Sequence, residues 1–376
     1  MAIQRRPSQI YKPKQKAARK PRPRWMLVGQ ANIWRFLMSI GMFLHKISSP
    51  RPPKPNFIRI VPTTVAQTPG TIKLHFYVPE AWRKEHKTAE SRKWPVVVNF
   101  HGGGFTLGKA TDDARWCDAV VKEVDAIAVS VDYRLAPEFP FPTAVEDGVD
   151  AILYLVAHAQ ELGIDTDRIA VSGFSSGANM CFTVPLRLQE ELSQEFKEGE
   201  LRRESVTLQV RPPLLKAISQ GRTLTRSNDG ISIKVVTAWY PPVDYTRTRE
   251  QRRATAKRID QQLPQIFTEL FDESYLVPPT MDMSNPYLSP GVAPKHLLAG
   301  LPEEIVIFAC EWDMLLDESE KFRDRLTGEL GKTVHYHVIE GVAHGFDKAP
   351  NPIRLPPNIA ENYSLACKQI KRLLES

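Results

Sequence analysis

The residues Gly173-Phe174-Ser175-Ser176-Gly177 place a serine between glycines two positions away on either side. G-x-S-x-G is a weak pattern alone, but here it follows a strand-like run, Arg168 to Ser172, and precedes a helical one. In that setting the glycines permit a sharp strand-to-helix turn that lifts the hydroxyl above a sheet. Ser172 and Ser176 lack the flanking glycines, so Ser175 is the candidate nucleophile. A second signal, His101-Gly102-Gly103-Gly104-Phe105, follows the apolar run ending at Phe100. Three consecutive glycines weaken any regular element and imply a special backbone geometry. N–H groups of Gly102, Gly103 and Gly104, with that of Ser176, could hold the oxyanion formed when a serine attacks a carbonyl carbon. Such donors are worth about 2.7–4 kcal/mol each in the transition state. His101 reads as a residue that positions the loop rather than one that moves protons.

A serine hydroxyl needs a base to take its proton, and the base needs an orienting carboxylate. Where a G-x-S-x-G turn sits on a parallel sheet, the expected chain order is Ser, acid, His, each just past a strand end. Asp313 follows the apolar run ending at Cys310, and His344 follows the next one. Asp317 and Glu318 fit the start of a helix, where the dipole favours acids. Glu311 precedes the turn. His335 and His337 alternate within a strand and read as structural. His45, His75, His86, His158 and His296 have no comparable loop setting. No metal or cofactor is implied.

The elements that must hold these residues alternate along the chain. Strands are expected at 57–61, 72–78, 95–100, 126–132, 168–173, 234–240, 304–310 and 333–339. Helices fit at 112–123, 143–162, 176–194, 317–328 and 359–374. This is a mainly parallel sheet covered on both faces, its first two strands an antiparallel edge. Two stretches, near 195–230 and 246–290, interrupt the rhythm and read as inserted cap or lid segments over the carboxyl ends of the strands. The basic run Arg247 to Arg258 reads as a solvated helix face.

The chain has 376 residues, 42% hydrophobic and 25% charged, enough for a large core. Its net charge of +7 is unevenly spread. No Asp or Glu precedes Glu80, while 15 Lys and Arg do, leaving 35 basic against 43 acidic residues beyond. The body is mildly acidic and the basicity sits in an arm, unlike a nucleic-acid-binding protein. Residues 1–24 hold nine Lys/Arg and four prolines and read as a disordered arm. In 25–47, Ile33, Phe36, Leu37, Ile40, Phe43, Leu44 and Ile47 recur at helical spacing before prolines at 50, 52 and 53. The stretch 25–56 is thus an amphipathic helix and Pro-rich linker, either packed as part of a cap or lying in a membrane interface. A spanning helix would put Arg35 near the bilayer centre, at a cost of about 2.5–3.5 kcal/mol. The four cysteines are scattered and form no disulfide framework, which suits an intracellular location, cytoplasmic or peripheral on a membrane. Oligomeric state is not legible.

Residues 57–376 resemble the hormone-sensitive-lipase family of α/β hydrolases. The HGGG loop is matched at His101–Gly104 and D-Y-R-L-A-P-E at Asp132–Glu138. D-x-L-x-D-E is matched at Asp313–Glu318 and H-G-F at His344–Phe346, and Asn285–Pro290 is similar to the stretch before the family's penultimate core strand. The resemblance implies the α/β-hydrolase fold, an eight-stranded mainly parallel sheet with a helical cap. It implies a triad of Ser175, Asp313 and His344, with an oxyanion hole from Gly102–Gly104 and Ser176. Asp132 and Arg134 are expected in scaffold ion pairs. At the serine turn the family commonly has G-D-S-A-G-G, whereas Phe174 here replaces the acid and Ser176 the alanine. The implied activity is hydrolysis of small or medium-chain hydrophobic carboxylic esters through an acyl-enzyme. Acyl transfer would use the same residues, and a non-catalytic receptor on this fold is a third reading.

Overall fold

The computed structural model describes residues 22–85, 92–204, 231–349, 353 and 358–376. Its centre is an eight-stranded sheet in the order β1-β2-β4-β3-β5-β6-β7-β8. The strands are β1 (Phe57–Pro62), β2 (Thr71–Tyr77), β3 (Trp94–Phe100), β4 (Ile127–Asp132), β5 (Ile164–Phe174), β6 (Ile233–Trp239), β7 (Glu304–Cys310) and β8 (Thr333–Ile339). β1 pairs antiparallel with β2, and β2 antiparallel with β4, while β3 to β8 are all parallel. Every residue of β3 is buried, as expected for a strand covered on both faces. Val96, Val98 and Phe100 enter one core cluster and Val97 the other, so the period-2 alternation splits the core into two layers.

Among the described residues the principal helices are α1 (Arg24–Ile47), α2 (Ala114–Ala119), α3 (Thr143–Ala157), α4 (Ser176–Glu204), α5 (Gln265–Tyr275), α6 (Leu316–Leu330) and α7 (Ile359–Glu375). Residues from α3, α4 and α6 line one core layer, and residues from α2 and α7 line the other. The helix expected at 112–123 is instead a short 3₁₀ turn, the two-turn α2 and a π turn ending at Asp125, whose φ of +61° stops it. All four cysteines are free and buried.

Three expectations are corrected. Residues 195–204 continue α4 rather than opening an insert, and the rest of that segment, 205–230, lies outside the described residues. The basic run after 246 is solvated only at its end, where Lys257 and Arg258 are exposed. Arg252 is buried and its Nε lies 2.8 Å from the equally buried Glu318, while Arg247 pairs with Asp317 and Arg249 with Asp272, both at 2.7 Å or less. Glu318 therefore stands in the first turn of α6 as an ion-pair partner, and it also accepts a hydrogen bond from Val243 N–H at 2.8 Å. Of the scaffold pair, Arg134 does clasp Asp147 at 2.7 Å, but Asp132 instead accepts a hydrogen bond from the Ala110 N–H.

Candidate active site

Register brings the site together. Phe100 aligns with Gly173, Phe174 with Trp239, Trp239 with Phe308, and Cys310 with Ile339. The parallel strands β3, β5, β7 and β8 therefore end at one edge of the sheet, and the loops carrying Gly102–Gly104, Ser175, Asp313 and His344 all leave from it. Ligand sites in open α/β sheets form at such an edge.

The turn at Ser175 is tight because β5 passes into α4 within one residue. Ser175 has φ of +53°, a left-handed conformation that costs a non-glycine residue about 1–3 kcal/mol. A Cβ on Gly173 would collide with the carbonyl of Gly177, and one on Gly177 with the carbonyl of Phe100. The two flanking glycines are thus required by backbone approach, which is the physical content of the motif.

The three candidate residues converge. Ser175 Oγ lies 2.8 Å from His344 Nε2, and His344 Nδ1 lies 2.6 Å from Asp313 Oδ2. With Asp313 accepting at Nδ1–H, the lone pair of Nε2 faces the serine hydroxyl, which donates to it. The other oxygen of Asp313 accepts from the Leu315 N–H at 3.1 Å, so the buried carboxylate is fixed at both ends. Ser175 and His344 are partly exposed while Asp313 is buried: the reacting atoms are reachable and the orienting group is shielded. Asp317, Glu311, His335 and His337 stand apart, paired with Lys321, Lys257, Glu304 and Gln369 respectively.

The glycine loop lies directly against this turn. A Cβ on Gly102 would sit 3.0 Å from the Phe174 carbonyl and 3.5 Å from Ser175 Cβ. Gly103 has φ of +120°, and its carbonyl accepts from Thr106 N–H at 3.1 Å and Leu107 N–H at 2.8 Å, which folds the loop back on itself. His101 is buried, stacks on Tyr133 at 4.2 Å and places Nδ1 2.8 Å from the Gly102 carbonyl. Ser176 opens α4, so its N–H is among the first-turn donors that a helix leaves unpaired.

Beneath the turn runs a buried polar network that the motifs do not announce. Trp116 donates to Ser172, Ser172 to Asn99 and Asn99 to Asp113, at 2.8–3.0 Å. Lys348 bridges Asp113 at 2.9 Å and Asp347 at 2.7 Å, and Asp347 accepts from the hydroxyls of Tyr240 at 2.5 Å and Tyr363 at 2.6 Å. The Tyr240 ring meets His344 edge-on, with centroids 4.8 Å apart. Burial pushes the Asp347 carboxyl up, but Lys348 and the two phenols more than offset it and hold it below its ordinary range. Burial likewise disfavours the Lys348 ammonium, and the two carboxylates reverse this, raising it well above its usual value. Phe174 faces this network: Lys348 Nζ sits 3.8 Å above its ring, and Trp239 stacks on it at 5.4 Å. Its side chain is buried in the core. No cluster of three or more metal-ligating side chains occurs among the described residues.

Comparison with known proteins places the fold in a family. A family model described as the α/β hydrolase fold matches residues 97–348. An arylesterase of Saccharolobus solfataricus is 30% identical over 260 residues, 69% of this chain and 70% of that protein. Human hormone-sensitive lipase is 38% identical over 108 residues, 29% of this chain and only 10% of that one. Among solved structures, the esterase of Pyrobaculum calidifontis superposes with a TM-score of 0.66 at 25% identity, covering 92% of this chain and 94% of that one.

Proposed function

Because the chain belongs to the α/β-hydrolase fold family, in its hormone-sensitive-lipase-like, esterase and lipase branch, we propose that it hydrolyses carboxylic esters by nucleophilic catalysis at Ser175. Ser175 Oγ attacks the ester carbonyl carbon while His344 Nε2 takes its proton. The carbonyl π pair moves onto oxygen, and the oxyanion rests among the N–H groups of the Gly102–Gly104 loop and Ser176. As the tetrahedral intermediate collapses, Nε2–H passes its proton to the departing alkoxide, and an alcohol leaves an acyl-serine. Water then attacks the acyl carbon, giving a proton to Nε2, and collapse releases the acid and restores the hydroxyl. Asp313 holds the imidazole tautomer and stabilises the imidazolium in both halves.

The observation that carries this reading is the pair of short contacts at His344, 2.8 Å to Ser175 Oγ and 2.6 Å to Asp313 Oδ2. The substrate we favour has a hydrophobic acyl group of small or medium length. Support comes from α5, where the Phe271 ring abuts Gly104 of the glycine loop, so an apolar wall stands beside the reacting carbonyl. A fluorophosphonate probe should label the wild type and leave Ser175→Ala unlabelled, and p-nitrophenyl esters of graded chain length should define the acyl preference. Labelling that persists in Ser175→Ala would overturn the assignment.

A further inference from the structure

The helix α1 is held to the body along one side only. Arg35 Nη1 and Nη2 each bond Glu138 at 2.8 Å, Nη2 also bonds the Ala136 carbonyl at 2.8 Å, and Nε bonds the Thr106 carbonyl at 3.0 Å. Trp34 meets Phe267 of α5 edge-on at 4.6 Å, and Lys46 reaches Asp112 at 3.4 Å. The opposite side carries Ile33, Phe36, Ile40 and Phe43, with relative exposures of 62%, 64%, 45% and 64%. Their spacing of three and four residues makes one continuous apolar stripe. A stripe of this kind on a monomer marks an interaction surface.

We propose that this stripe seats on an anionic lipid surface, with α1 lying in the interface rather than crossing it. Charge complementarity selects the partner. The sequence immediately before the helix carries seven Lys or Arg by residue 20 and no acid, and none of the first 79 residues is acidic. A basic segment leading into an amphipathic helix with aromatic residues on its apolar side suits negatively charged headgroups. The 24 residues of α1 are long and apolar enough to span a bilayer. Insertion would pull Arg35 out of its bonds to Glu138, Thr106 and Ala136 and strand it in hydrocarbon, whereas docking side-on keeps every one of them. Thr106 and Ala136 flank the glycine loop: Thr106 N–H bonds the Gly103 carbonyl, and Ala136 N–H bonds the Phe105 carbonyl. The docked face thus stands next to the site, and esters dissolved in the membrane would reach it locally, a consequence that rests on the hydrolase reading.

Co-sedimentation of the full chain with phosphatidylcholine vesicles, with and without phosphatidylserine, tests the proposal. Binding should require phosphatidylserine, weaken with added salt, and fall at least about tenfold in Phe36→Asp/Phe43→Asp, the loss expected when two aromatic anchors leave an apolar phase. Turnover of a soluble p-nitrophenyl ester, read in parallel, should be unchanged in that variant, which shows it is folded and separates this proposal from the assignment of Ser175. Absence of wild-type binding, equal binding to neutral vesicles, or equal binding by the variant overturns the proposal. So does a wild-type dimer in light scattering that the variant converts to monomer, since a second copy would then be what covers the stripe.

Discussion

At Gly103 the backbone occupies φ of +120°, and a methyl group there would run into the carbonyl of Leu107. Gly103→Ala must therefore distort the loop that carries the N–H groups assigned to the oxyanion. We expect kcat to drop by about 10²–10³-fold with KM little changed, the signature of losing a contact made only in the transition state. Steady-state kinetics beside a thermal melt would separate this from unfolding, because the melt should shift far less than the rate. The three residues that meet at His344 were legible in the sequence because the proposed chemistry demands uncommon features: a serine between two spaced glycines, and an acid and a histidine each just past a strand. Tyr240 and Lys348 carry no such mark. A half-buried lysine held between two aspartates reads, one residue at a time, like any surface lysine, and only coordinates reveal that Asp113, Asp347 and Lys348 meet. Phe174 was visible as a departure from the family's acid, but not the reason it fits. The ring belongs to an aromatic stack under that ammonium.

Among the elements, the strands were read to within a residue or two except at the start of β5, because apolar runs bounded by glycine and proline leave little freedom in a buried parallel sheet. The first part of the basic run after residue 246 was misread as solvated, since charge pattern along one segment says nothing about acids that arrive from α6. Arg252 and Glu318 are each about 1% exposed in their side chains, so the pair is fully desolvated. Removing one partner strands a charge. Glu318→Ala should cost about 3–5 kcal/mol in urea unfolding, whereas Arg252→Met/Glu318→Leu should recover most of that loss. If the double variant proves no more stable than the single one, the stabilisation lies in the geometry of the pair and not merely in its neutrality.

Over the whole molecule, the attachment of α1 includes a group that titrates. His45, near its end, is buried, with Nδ1 3.2 Å from the Ala349 carbonyl and Nε2 accepting from Arg115 Nε at 3.3 Å. Burial, followed by the positive charges of Lys348 and Arg115, lowers its pKa from 6.5 to about 4. The folded state thus holds this imidazole neutral where an unfolded chain would already be protonated. The resulting stabilisation is fully present above pH 6.5 and is lost as pH falls from 6.5 towards 4, an effect of at most about 3 kcal/mol. Hydrogen exchange of α1 amides, corrected for intrinsic rates, should show weaker protection at pH 5 than at pH 7.5, and His45→Gln should flatten that dependence. An unchanged profile in His45→Gln would assign the sensitivity elsewhere.

Arg35 gives this attachment a practical edge. Because the Arg35 guanidinium satisfies the Glu138 carboxylate and two carbonyls bordering the glycine loop, α1 belongs to the packing around that loop. A protease that cut past Arg35 would leave Ser175, His344 and Asp313 in place while undoing the masonry around the glycine loop. Loss of turnover in a shortened chain would then report a damaged wall rather than a missing reagent.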